Sequence, residues 1–127
     1  MTKKRILIVD DERKFTQMVR LNLEKTGFYQ VNEVNDAEHA VEAAEQFQPD
    51  LVLLDVMMPV MDGGDVAARL KNHPLLKDVP VLFVTAIISQ SEAGRQGRHG
   101  GGYLFLAKPI TLDALLEAIE TNLRKDP

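Results

Sequence analysis

Short apolar runs that each stop at a polar residue constrain this chain more than any other feature. "RILIVDD" (5–11), "LVLLD" (51–55), "VPVLFVTA" (79–86) and "YLFLA" (103–107) are such runs. Their β-branched content and length predict buried strands. "YQVNEVN" (29–35) alternates instead, which predicts a more exposed strand. Helical spacing fills the intervals. Phe15, Met18, Val19 and Leu23 recur at three and four until Gly27 stops them. Ala37, Ala40, Val41, Ala44 and Phe47 make a second stripe, with Asn35 or Asp36 available as its cap. A third helix is expected from about Gly64 to Asn72, and Leu112, Leu115, Leu116, Ile119 and Leu123 mark the last. Strands and helices in alternation imply right-handed βαβ units and one parallel sheet covered on both faces. The near-continuous apolar character of the first, third and fourth strands fits burial on both sides.

One interval resists this reading. "ISQSEAGRQGRHGGG" (88–102) should supply a fourth helix, yet it carries five glycines and little apolar periodicity. Each interior glycine costs a helix about 1 kcal/mol against alanine. A short or loose helix is expected there.

The 127 residues suit one domain, with its boundaries expected at 4–125. A formal charge of −4 and a pI near 5.3 argue against direct binding of nucleic acid or an anionic membrane. With no cysteine, thiolate zinc sites and thiol nucleophiles are excluded. No apolar run approaches the about 18 residues of a membrane span. The opening "MTKKRILIVDDE" meets acids after four apolar residues, too soon for a secretory signal. A cytoplasmic protein is expected.

In a parallel α/β sheet, ligands gather off the carboxyl ends of the strands. Asp10 and Asp11 end the first strand, Asp55 the third, Thr85 the fourth and Lys108 the fifth. Each has an ordinary use: Asp10 or Asp11 as a helix cap, Asp55 as a turn residue, Thr85 as a β-former, and Lys108 on the surface. Together on one rim they suggest chemistry. Clustered carboxylates are stabilised by a cation, and an all-oxygen set with water access suits Mg²⁺ beside a phosphate. Lysine adds a mobile point charge for a phosphate oxygen, and threonine a short hydroxyl donor.

"ILIVDDE", "LVLLDVMMPVMDGGDV", "VPVLFVTA" and "FLAKP" resemble, in order and spacing, the motifs of the response-regulator receiver domain of two-component signalling. The resemblance implies a three-layer, flavodoxin-like (βα)5 sandwich with five parallel strands in order 2-1-3-4-5. It makes Asp55 the phosphoacceptor, charged by a sensor histidine kinase, a phosphotransfer protein or a small phosphodonor. It assigns Mg²⁺ to Asp10, Asp11, Asp55 and the backbone carbonyl of Met57. Thr85 and Lys108 would bind phosphoryl oxygens, and Lys108–Pro109 would be a cis peptide. Thr85 and Phe105 would form the switch, relaying to a downstream partner or fused output domain through the fourth helix, fifth strand and fifth helix. Pro59, Asp62 and Gly63 match the loop after the acceptor, where glycine permits a turn other residues resist.

Met57 and Ile87 depart from the pattern, standing two residues after Asp55 and Thr85, where many receivers place acids or amides. Their apolar bulk predicts slow autodephosphorylation, so the domain is expected to assist its own chemistry without being an enzyme. Tyr103 and Leu104, at the entry to the fifth strand, are expected to pack in the core, and Arg95, Arg98 and His99 to form a solvated basic segment. Three other classes compete. An aspartyl hydrolase would want a second acid two residues on, where "VDDE" has adjacent acids. A nucleotide or flavin binder would want a glycine-rich loop after the first strand. A receiver-like scaffold acting without phosphorylation is argued against by the complete acceptor set.

Overall fold

The computed structural model describes residues 2–86, 98–100 and 103–124. Its elements are β1 (Lys4–Val9), α1 (Arg13–Lys25), β2 (Tyr29–Val34), a 3₁₀ turn (Ala37–His39), α2 (Ala40–Phe47), β3 (Leu51–Leu54), α3 (Gly63–Lys71), β4 (Val81–Thr85), β5 (Arg98–Gly100), β6 (Tyr103–Ala107) and α4 (Leu112–Leu123). The sheet order is β2-β1-β3-β4-β6-β5. Strands β2, β1, β3, β4 and β6 are parallel, which is the expected 2-1-3-4-5 arrangement.

Strand alternation sorts the core into two layers. Ile6, Ile8, Leu51, Leu53, Leu82, Val84 and Leu106 face one side, with Val19 and Leu23 of α1 and Leu115 and Ile119 of α4. Leu7, Val9, Val52, Leu54, Val81 and Phe83 face the other, with Ala40 and Ala44 of α2 and Val66, Ala67 and Leu70 of α3. Each large side chain buried this way contributes roughly 1.5–3 kcal/mol. The small residues of α2 and α3 let those helices lie close on the sheet.

The helix ends follow local chemistry. Gly27, at φ 84°, takes the left-handed conformation that stops α1. Asp62 caps α3 by accepting from the Asp65 N–H at 2.9 Å, and Thr111 caps α4 by accepting from the Ala114 N–H at 3.1 Å. Asp36, one of the two candidate caps before the second helix, accepts from the Glu38 N–H at 3.0 Å.

Two features differ from expectation. The second helical stripe is split, with Ala37 in the 3₁₀ turn and Ala40 opening α2. Within the interval expected to be a fourth helix, Arg98–Gly100 instead forms a sixth strand, antiparallel to β6, with Gly100 opposite Tyr103. The rest of the expected fourth helix, with Ile87 and Arg95, lies outside the described residues. Tyr103 and Leu104 are partly buried, Tyr103 against the α2–α3 layer and Leu104 against the other. Among the described residues, no helix is long and apolar enough to cross a membrane.

Candidate functional site

Sheet register brings the strand ends together. Val9 lies beside Leu54, and Leu54 beside Phe83. Asp10 and Asp55 therefore follow paired residues onto one rim, where the Asp55 N–H donates to the Val9 carbonyl at 3.0 Å. Thr85 pairs with Ala107, and the Lys108 N–H donates to the Thr85 carbonyl at 2.9 Å, which brings the lysine to that rim. The Lys108–Pro109 peptide is cis.

Asp10, Asp55 and Thr85 are buried, whereas Asp11 is exposed. One carboxylate oxygen from each of Asp10, Asp11 and Asp55 falls within 4.8 Å of the others. Burial pushes the Asp55 carboxyl above the ordinary carboxylate range, against the opposing pull of Lys108 and of hydrogen bonds from the Thr85 hydroxyl and the Met57 and Val56 N–H groups. Burial likewise raises Asp10, aided by the charge of Asp55 and opposed by hydrogen bonds from Lys108 and the Glu12 N–H. Two buried acids held this way are costly to ionise and gain from any cation that joins them. An all-oxygen trio with one exposed member fits a hard divalent cation that keeps part of its water.

The Lys108 ammonium sits 2.7 Å from Asp10 Oδ2, 2.8 Å from Glu12 Oε1 and 3.9 Å from Asp55 Oδ2. It also lies 4.3 Å from the centre of the Phe15 ring. Burial works to lower its pKa, but the hydrogen bonds to Asp10 and Glu12 outweigh that and leave it above its ordinary value. Lys108 is thus charged and held near Asp55 mainly by Asp10 and Glu12.

The loop after β3 closes under the site. Gly63 donates its N–H to the Val56 carbonyl at 2.9 Å. A Cβ on Gly63 would collide with the backbone carbonyl of Asp55. The requirement for glycine is therefore close approach, since the left-handed residue of this loop is Val60, at φ 71°. Met57 is exposed beside the site, while Ile87 lies outside the described residues. Phe105 is partly buried and stacked on Phe83, with ring centres 4.7 Å apart and planes inclined by 12°. Tyr103 meets Phe83 edge-on at 5.2 Å.

Residues 6–120 match the family model of the response regulator receiver domain. The chain belongs to that family. This receiver is 37% identical over 121 residues to the DNA-binding dual master transcriptional regulator RpaA of a Synechocystis species, covering 95% of this chain and 49% of that protein. It spans about half the length of the first curated relatives it matches. Among solved structures, the N-terminal domain of a response regulator receiver protein from Methanoculleus marisnigri is 36% identical, with a TM-score of 0.70 over 98% of this chain and all of that one. A putative response regulator from Chloroflexus aurantiacus is 30% identical, with a TM-score of 0.82 over 98% of this chain and all of the other. Receivers of this kind are the response-regulator partners in two-component systems, working with histidine kinases and output domains.

Asp10, Asp11, Asp55, Thr85 and Lys108, chosen at strand ends, come together in this receiver. Glu12 and Phe15 also reach Lys108 and were missed. Glu12 looks like a helix-start acid, and Phe15 sits on an ordinary apolar stripe.

Proposed function

We propose that this receiver is a phosphorylation-controlled switch in which Asp55 accepts the phosphoryl group, with residues 4–125 as one domain in the cytoplasm. The observation that carries the reading is a buried carboxylate with two further acids close by, a hydroxyl donor, and a lysine at 3.9 Å.

Asp10, Asp11 and Asp55, with the Met57 carbonyl, would hold Mg²⁺. When bound, the cation supplies charge neutralisation between the carboxylate and the phosphate. An Asp55 oxygen attacks phosphorus in line as the bond from phosphorus to its donor breaks. The donor is a histidine nitrogen of a kinase or phosphotransfer protein, or an acetyl oxygen, and it leaves with the bonding electron pair. Such a transfer needs positioning and charge compensation rather than a proton from the protein. Val56 and Met57 fix Asp55 through their N–H groups. Lys108, already charged, moves from its acidic neighbours toward the new phosphoryl oxygens, and Thr85 donates to another.

The acyl phosphate adds roughly −1.5 to −2 charges and strong acceptors. Thr85 turning to bind one would free space for Phe105, whose ring slides against Phe83. Output runs through β6, α4 and the segment preceding β6 to a fused domain or a separate partner, with no nucleic acid bound by the receiver itself. Hydrolysis of the acyl phosphate by water ends the signal slowly.

Intact-mass measurement after exposure to acetyl phosphate and Mg²⁺ tests the reading. The native chain should gain one phosphoryl group, and Asp55→Asn none. Equal labelling of both would place the acceptor elsewhere.

A further inference from the structure

The end of β2 grips the backbone of Asp10 from both sides. The Asp10 N–H donates to the Val34 carbonyl at 3.0 Å, and the Asp10 carbonyl accepts from Asn35 Nδ2 at 2.8 Å. An amide nitrogen must face that carbonyl, so the orientation of the Asn35 side chain is fixed by chemistry. The same nitrogen donates to Thr16 Oγ1 at 2.9 Å. Thr16, in the first turn of α1, is fully buried. Its hydroxyl has two acceptors in reach, Glu33 Oε1 at 2.8 Å and the Arg13 carbonyl at 3.1 Å. The closer, charged acceptor makes the stronger bond. Arg20 NH1 then donates to Glu33 Oε2 at 3.3 Å.

We propose that Asn35 is a positioning residue for the cation site, setting the Asp10–Asp11 backbone through a partly buried relay of Thr16 and Glu33. The Asp10 carbonyl belongs to the peptide that leads into Asp11. Without its bond to Asn35, that peptide is free to rotate, and the exposed Asp11 carboxylate loses its aim at the other two acids. Hydrogen-bond partners behind metal ligands commonly alter metal affinity 10- to 100-fold when removed. Satisfied hydrogen-bond networks shielded from water rigidify the groups they hold. The proposal rests on the reading of Asp10, Asp11 and Asp55 as a cation site.

The test is a titration of the folded proteins with MgCl₂, followed by backbone amide chemical shifts, with thermal stability measured separately. Asn35→Ala and Thr16→Val should each weaken Mg²⁺ about 10-fold. Thr16→Ser, which keeps the hydroxyl, should stay near the native affinity, and Asp11→Asn serves as the control for the site. Wild-type affinity in Asn35→Ala alongside a weakened Asp11→Asn would overturn the positioning role and leave the cation site standing. Equal weakening in Thr16→Val and Thr16→Ser would also overturn it, because loosened packing would then explain the loss. An unchanged Asp11→Asn would remove the cation site and the proposal with it. Should Asn35→Ala fail to fold, the Thr16 pair carries the same comparison.

Discussion

Met57 stands exposed two residues past Asp55, where a polar side chain would orient an attacking water. A thioether does so poorly, and its bulk stands in the way. Met57→Asn should therefore speed loss of the acyl phosphate, by up to about 10-fold, which needs only about 1.4 kcal/mol off the barrier. The check is decay of phosphoprotein with time at fixed Mg²⁺ without kinase, and an unchanged or slower decay would count against it. Gly63 presents a different constraint. A methyl group there meets the Asp55 backbone, so Gly63→Ala should destabilise the domain by roughly 1–3 kcal/mol, seen as a lower urea midpoint. The five strand-end residues were legible because parallel register carries successive strand ends to one rim. Glu12 was not, because its role depends on the reach of a lysine from the far end of the chain, 2.8 Å away in space. The need for Gly63 was visible, but its reason was misread. Sequence suggests a turn, and the structure shows a close approach instead.

Helices and strands were read from apolar period, and they held where the period is strong. Strands β1, β3, β4 and β6 are short hydrophobic runs, and α1 and α4 carry clear stripes. Thr111 was not singled out, yet its side chain accepts the Ala114 N–H and begins α4 beside the cis Lys108–Pro109 peptide. Thr111→Ala should cost about 1 kcal/mol and lower the Tm by a few degrees. An unchanged Tm would mean the cap is replaced by water without loss. The Arg98–Gly100 strand was not legible. Three residues, Arg98, His99 and Gly100, are too few to show an alternation, and their partner in β6 supplies the order. Sequence did show the reason a regular helix is disfavoured around them, since glycines accumulate there. The 3₁₀ turn before α2 was likewise hidden, because Ala37 and Ala40 suit either helical geometry.

Across the whole molecule, the acids that the proposed function uses are held where burial resists their charge. The Asp10 and Asp55 carboxyls lie above the ordinary range, so the folded chain keeps their protons to higher pH than the unfolded chain does. Their contribution to stability is present at acid pH and is lost as pH rises through the raised values. Without Mg²⁺, the urea midpoint should therefore carry a term that falls with rising pH, and Asp55→Asn should flatten it. Mg²⁺ should restore stability near neutral pH, with less effect in acid, where protons compete for the same oxygens. A midpoint slope unchanged by Asp55→Asn would show that this carboxylate is not the group under strain. The most direct test of the central claim is chemical capture of the acyl phosphate. After treatment with acetyl phosphate and Mg²⁺, borohydride reduces an aspartyl phosphate to homoserine, which peptide mass spectrometry locates. The account predicts homoserine at residue 55, dependent on Mg²⁺ and on prior phosphorylation. Homoserine at another aspartate, with Asp55 unmodified, would contradict it.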